Sequence, residues 1–590
     1  MPLPRPEYPR PLLERDQWLN LNGTWDFAFD PDNLGLREAW YKEGIFPQKI
    51  VVPFCVESEA SGIADVNPSA VMWYGRDVNV KENWLTQRLM LRIGASDHWT
   101  RVFVNGIEVG QNRGGYVPFG FDVAYIMKPG LNRIVIRVED SPSLSQPRGK
   151  QEGTFRWPID YDSVSGIWQT VWLEPVPENA IEDSYAIFSS EPQKLEVTVN
   201  MTRIFNGGLR VKILDGERLV ATAERAINNR IHAKINLEVE DVKRWSPASP
   251  YLYQLVLELV DTQGTVIDHA RSYTGLREIT CNHKEMTING EPLYIRGVLD
   301  QGYFPGGWYT PVDDAAIKRD IELTLALGFN CVRKHQKVED PRYLYWADRY
   351  GLLVWTEMPS GKIFSTELIT TLTNEWLRVI QRDRGHPSVM AWVPFNESWG
   401  VMDQTNKPAH RSFVDGIYHL TRSLDCSRPV VGNDGWEYSS GDLWTLHIYE
   451  GDGKSVAERL AAVLDNPREK LSADGRVGAF PDTKVDSLPV LLTEVGGIGY
   501  ICDGYRGESF AYGDIPTNIE EFERRVRACA ADFSHTTGLS GFVWTQLTDI
   551  QQEINGVLTF NREPKLPLDT FASIFKGIDK YPNKTKPVRE

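Results

Sequence analysis

The sequence predicts a multidomain chain: an N-terminal jelly-roll β-sandwich, an immunoglobulin-like β-sandwich and a C-terminal (β/α)8 barrel. Three observations predict it. At 590 residues the chain exceeds what one hydrophobic core supports, so several domains are expected. Up to residue 277, apolar residues alternate in short runs broken by Gly, Asn, Asp and Pro, the pattern of successive antiparallel strands. From residue 278 the rhythm changes to apolar strands alternating with amphipathic helices, the pattern of a parallel sheet wrapped by helices.

Residues 1–178 carry strand-like runs at Gly23–Phe29, Thr100–Val109 and Asn132–Val138. The second turns at Asn105-Gly106, a pair that accepts the positive φ angles of a tight hairpin. Many short strands of this kind predict the jelly roll. Residues 179–277 keep the period of two, as in Lys194–Asn200 and Tyr253–Val260, over the length of an immunoglobulin-like sandwich. Within 278–590, eight strands are expected at 293–298, 331–335, 352–357, 389–397, 428–434, 442–449, 489–496 and 541–549. Between the first two, Asp313-Asp314 caps a helix running from Ala315 to Leu327, and Gly328 ends it. Two long stretches, 450–487 and 497–519, follow the sixth and seventh strands and are expected on the catalytic face of the barrel.

Composition excludes some functions. The net charge of −16 disfavours a polyanionic partner such as nucleic acid. Six scattered cysteines form no CxxC pair, so no zinc or redox motif is visible, and such sparse usage suits a reducing compartment. The first ten residues lack the apolar centre of a signal peptide, and no apolar run reaches membrane-spanning length. A cytoplasmic protein without a membrane partner is expected. The 19 tryptophans suit sugar-stacking surfaces and large aromatic cores alike.

Two glutamates carry the chemistry. Glu397 closes the apolar part of Val389–Gly400, and Glu494 closes that of Pro489–Gly497. A carboxylate at the C-terminal end of a buried parallel strand stands where α/β barrels place catalytic groups. Two on one rim can act on a glycosidic bond, about 5–5.5 Å apart for retention of configuration and farther apart for inversion. A single strand-end glutamate, taken by itself, is read first as a salt-bridged or capping carboxylate. Asn396, beside Glu397, can hold a sugar hydroxyl because its amide both donates and accepts.

Asn396-Glu397 after an apolar strand, and Thr493-Glu494 shortly before glycine, resemble the two catalytic signatures of glycoside hydrolase family 2. The resemblance runs the length of the chain. Trp18–Phe27 is similar to the opening motif of that family's sugar-binding domain. Gly275–Ile279, Ile288–Pro292 and Arg296–Val298 are similar to the approach to its barrel, and Arg382–Val389 to the lead-in to its acid/base strand. The resemblance implies a retaining double displacement, with Glu397 as general acid/base and Glu494 as nucleophile, and a chemistry that needs no cofactor. It implies that Arg333 keeps Glu494 ionised, a structural ion pair being the competing reading. His335 follows in Arg-Lys-His where the family carries Arg-x-x-His, and is read as a substrate contact or a core histidine. His447 and Tyr449 stand where relatives carry Asn-x-Tyr, with Tyr449 supporting the nucleophile. Trp544, ending the eighth strand, is read as a sugar platform or a core residue, and His386 as a brace behind the barrel.

The departures bear on the sugar. After Arg296-Gly297-Val298 the large β-galactosidases and β-glucuronidases carry Asn-x-His-Glu, whereas this chain reads Leu299–Pro305. Asp300 is expected to replace the missing polar contact. The Asn-x-Lys element with which glucuronidases grip a uronate is not visible, although Arg562 or Lys565 could meet a carboxylate differently. No match to the magnesium ligands of the large β-galactosidases is seen, since Glu357 alone is insufficient, and no metal is expected. The function expected is exo-hydrolysis of terminal neutral β-glycosides such as a galactoside, arabinopyranoside or galactofuranoside. A β-uronidase, or a carbohydrate-binding protein without catalysis, is the alternative. The partner is a glycoside or oligosaccharide, and self-association is compatible with the architecture.

Overall fold

A computed structural model of the chain describes residues 2–578 apart from 44–45, 153–156, 450–453, 473–474, 503–504, 506 and 537. Its first part is a sandwich of two antiparallel sheets. One orders Gln48–Val52, Gly23–Phe29, Val71–Val80, Gly130–Glu139, Trp99–Val104 and Ile107–Arg113; the other orders Leu19–Asn20, Val171–Val176, Arg88–Ile93 and Phe119–Asp122. Alternate residues of both sheets, among them Trp25, Phe27, Tyr74, Leu91, Val102 and Ile136, meet in one core. Asn105 (φ 49°) and Gly106 (φ 80°) turn the hairpin that their sequence predicts.

The second part is the immunoglobulin-like sandwich. Its spine is Gln193–Asp215, which pairs with Ile181–Ser190 along its first half and with Tyr253–Val260 along its second. Register shifts between Asn200 and Gly207 mark where the strand passes from one pairing to the other. Val197, Leu209, Val211 and Leu257 fill its core.

The third part is the barrel. Its parallel strands are, in chain order, Ile295–Asp300, Cys331–Lys334, Leu353–Glu357, Val389–Val393, Trp444–Ile448, Val490–Gly496 and Leu539–Thr545. Every one of these strands is buried on nearly all positions, as a sheet covered on both faces requires. Ile295, Cys331, Leu353, Trp355, Val393 and Leu491 fill the interior. Val298, Val332, Val354, Trp392 and Val495 face the surrounding helices. The helix after the first strand is Asp314–Ala326, and Asp313 caps it by accepting from the Ala316 amide at 2.8 Å.

The expected fifth strand, 428–434, is corrected: among the described residues that position holds only two parallel bridges to the fourth strand, Trp392 with Val430 and Asn396 with Asp434. Pro429 has no N–H to give, and the Val430 N–H goes to the Asp442 side chain instead of a ladder partner. On the other side the His447 amide donates to Gly435 O at 3.2 Å. Seven strands and this irregular segment close the ring.

The first sandwich also reaches over the mouth of the barrel. Tyr161 donates to Glu553, Lys150 pairs with the same carboxylate at 3.7 Å, and Gln551 donates to Asp162 at 2.8 Å. On the flank, the Tyr116 amide donates to Glu375 at 2.7 Å. His386 sits behind the barrel on Asp348, at 2.6 Å. Among the described residues, no helix is long and apolar enough to cross a membrane.

Candidate active site

The ends of five strand positions converge on Arg333, which is fully buried. Its guanidinium lies 2.7 Å from Glu357, 2.9 Å from Asp434 and 3.0 Å from Glu494, and it donates to Asn396 Oδ1 at 2.7 Å. One planar fork thus fixes groups from the third, fourth, fifth and seventh positions, a task that a lysine point charge could not perform. His335 lies 3.1 Å from Glu357 and 3.9 Å from Glu494.

Glu494 is held as a carboxylate. Burial would raise its pKa, but His447, Arg333, His335 and a hydrogen bond from Tyr449 outweigh this and lower it from 4.5 to about 2. Tyr449 donates to Glu494 Oε2 at 2.5 Å, and burial together with that carboxylate keeps its phenol protonated. Its ring stacks on Tyr512, 3.7 Å between centroids.

Glu397 is held differently. It has φ 52° and Ser398 has φ 58°, left-handed values that cost about 1–2 kcal/mol each in a residue with a Cβ. The fifth position over-determines this turn. The Glu397 amide donates to Asp434 O at 2.9 Å, and the Ser398 amide donates to Asn433 Oδ1 at 2.9 Å. Ser398 Oγ donates to Glu437 at 2.5 Å, and Arg476 donates to Glu397 O. The Glu397 side chain is 17% exposed, against 5% for Glu494, so one carboxylate faces the opening and the other is enclosed.

His447 lies between them. Its Nδ1 is 2.8 Å from Glu397 Oε1 and 3.5 Å from Glu494 Oε2, and its Nε2 is 3.5 Å from Asp434. Burial would strip its proton, but Glu494 and Asp434 raise its pKa from 6.5 to about 10. One ligand atom from each of Glu397, His447 and Glu494 lies within 4.8 Å of the others, the one such three-ligand cluster among the described residues. A cation there would have to displace the imidazolium proton beside the Arg333 charge, so the group is poorly suited to hold a metal.

The structure therefore brings together Glu397, Glu494, Asn396, Arg333, His335, His447 and Tyr449. It places two expected residues elsewhere. Asp300 is buried against Lys334 at 2.5 Å and accepts from the Gly302 amide, so its charge is already met. Trp544 is 1% exposed and packs on Phe575 with 5.2 Å between ring centroids, offering no open face to a sugar. Arg562 and Lys565 are also committed, to Asp320 at 2.9 Å and Asp549 at 2.7 Å. Asp434 is the residue that sequence reasoning missed. Its signal is the one that found the glutamates, a carboxylate after an apolar run, here Pro429–Val431.

The chain is similar to known proteins along most of its length. Residues 19–177 match the sugar binding domain of glycosyl hydrolases family 2, residues 181–277 match glycosyl hydrolases family 2, and residues 279–455 match its TIM barrel domain. A β-glucuronidase of Paenibacillus borealis is 26% identical over 98% of this chain and 100% of that protein. A β-galactosidase of Thermoanaerobacter pseudethanolicus is 25% identical over 80% of this chain and 61% of that protein. The solved structure of a Ruminococcus gnavus β-glucuronidase in complex with D-glucuronic acid aligns with a TM-score of 0.79, at 22% identity, over 95% of this chain and 97% of that one. The chain belongs to glycosyl hydrolases family 2 and is a glycoside hydrolase.

Proposed function

We propose that the protein is a retaining exo-β-glycosidase of terminal neutral sugars, with Glu494 as nucleophile and Glu397 as acid/base. The supporting observation is the pair itself: two carboxylates reaching within 4.8 Å of one another, in opposite environments. Such proximity favours direct attack over an interposed water. Glu494, lowered to about 2, stays ionised and attacks the anomeric carbon. Glu397, at the open side, protonates the leaving oxygen and then takes a proton from the incoming water. Asn396, its Oδ1 held by Arg333, turns its NH2 end toward a sugar hydroxyl.

A neutral sugar is supported by the commitment of Arg562 and Lys565 to Asp320 and Asp549. A second reading, a β-glucuronidase, is supported by the Paenibacillus borealis relative and the Ruminococcus gnavus structure. Hydrolysis of 4-nitrophenyl β-D-galactoside, β-D-galactofuranoside, α-L-arabinopyranoside, β-D-glucuronide and β-D-galacturonide, with the first-formed anomer read by proton NMR, decides between them. A higher kcat/KM for a neutral glycoside with retention supports the first reading. A higher kcat/KM for a uronide supports the second, and inversion sinks the mechanism. Equal inactivity of wild type and Glu494→Ala on the whole panel points to a binding protein.

A further inference from the structure

We propose that His447, backed by Asp434, is a positioning residue that pins one oxygen of the acid/base Glu397 and stabilises the carboxylate that forms when its other oxygen gives up a proton. This rests on the retaining reading above. The imidazole occupies a built seat. A Cβ on Gly435 would lie 2.6 Å from His447 Nδ1, and Gly435 itself has φ +100°, so the fifth position supplies both room and a backbone that few other residues adopt. The Trp436 ring closes one side, 5.7 Å between centroids.

Among the described residues, the charged groups facing the ring come from different strand positions. Glu397 from the fourth lies 2.8 Å from Nδ1, and Glu494 from the seventh lies 3.5 Å from it. Asp434 from the fifth lies 3.5 Å from Nε2, and so does Arg333 from the second. Even with Glu397 carrying its proton, the Glu494 and Asp434 carboxylates outnumber the one guanidinium, a net negative surround that keeps both ring nitrogens protonated. Nδ1–H therefore donates to Glu397 Oε1 and leaves Oε2 for the glycosidic oxygen.

The step balances without a co-reactant. As the bond from C1 to the aglycone oxygen breaks and the bond from C1 to Glu494 forms, the Oε2 proton passes to the aglycone oxygen. The negative charge left on Glu397 then faces a full positive charge, where an amide would offer a dipole. In the second step water attacks C1, the Glu494 bond breaks and the water proton returns to Oε2. His447 keeps its own proton throughout.

The test compares wild type, His447→Asn and Asp434→Asn on methyl and 2,4-dinitrophenyl β-D-galactosides, or the matching glucuronides if those are the ones cleaved. A dinitrophenolate leaves without protonation, whereas methoxide does not. His447→Asn is expected to lower kcat/KM about 100-fold on the methyl glycoside and under about 5-fold on the dinitrophenyl glycoside, within the range general-acid assistance supplies. Asp434→Asn should fall between. An equal loss on both substrates is what a merely structural role predicts, and it overturns the inference. The 15N shifts of His447 in the labelled wild-type protein give a second reading independent of turnover. A ring protonated on both nitrogens at pH 7 is expected, and a neutral ring overturns the inference. A wild type that cleaves no glycoside sinks the retaining reading as well, whereas an active wild type with equal losses in the variants sinks this inference alone.

Discussion

Replacing Arg333 with methionine is expected to move the ionisation of Glu494 into the working pH range. The guanidinium stands 3.0 Å from Glu494 Oε1, and both side chains are enclosed. At that distance and an effective dielectric of about 20, one charge pair is worth about 5.5 kcal/mol, or about 4 pKa units. The carboxyl now lies at about 2, so in the variant it is expected at about 6 by the same arithmetic. The assay is kcat/KM on the preferred aryl glycoside from pH 4 to pH 9. Wild type should show no acid limb from Glu494 in that range, because the group ionises below it. The methionine variant should show one near 6. A folded variant with an unmoved acid limb would refute the reasoning. Stability must be followed alongside, since Glu357 and Asp434 also lose their partner, at a cost of about 3–5 kcal/mol for a broken buried pair. Arg333→Lys keeps the charge and should keep the acid limb low, while kcat falls because one ammonium cannot serve Glu357, Asn396 and Glu494 together. The sign for stability follows the depressed pKa. The contribution of Glu494 is complete above its ordinary 4.5 and is lost as pH falls toward about 2.

Three further outcomes are expected. Tyr449→Phe removes a hydrogen bond to an ionised carboxylate, worth about 1.5–3 kcal/mol, and should lower kcat/KM roughly 10- to 100-fold, measured at the pH optimum. Glu397→Ala should lower kcat about 100- to 10,000-fold on unactivated glycosides. Sodium azide should restore turnover of activated ones with formation of the β-glycosyl azide, read by mass spectrometry and NMR. Arg562→Met should lower the melting temperature, because Asp320 is left buried without its partner, yet leave the ratio of galactoside to glucuronide activity unchanged; a selective loss on glucuronides would contradict the neutral-sugar reading.

Much of this site was legible because its cues are local. Glu397 and Glu494 each follow an apolar strand, Asp313 precedes a helical period, and Asn105-Gly106 announces its own turn. What was not legible depends on through-space partners or on parity. Asp300 looks available in the sequence, but Lys334 on the neighbouring strand takes its charge. Trp544 stands at a strand end as a sugar platform would, yet side chains alternate along a strand, and its turn falls on the helix-facing side against Phe575. The segment 428–434 has the apolar content of a strand, but Pro429 and the Asp442 side chain interrupt its ladder. Asp434 went unnoticed because its roles lie with Arg333, His447 and the Glu397 backbone, all more than 12 positions away along the chain.

The reach of the first sandwich over the barrel has a consequence for anyone wishing to move this catalyst. Glu553 and Glu375 belong to the barrel, yet Tyr161, Lys150 and the Tyr116 amide, which meet them, belong to the sandwich. Cutting the chain before the barrel would expose two carboxylates designed for enclosure; burial already raises Glu375 to about 7. The barrel is therefore not a portable module. A chimera or minimal enzyme built from it must carry residues 116–162 along, or supply new donors to both glutamates.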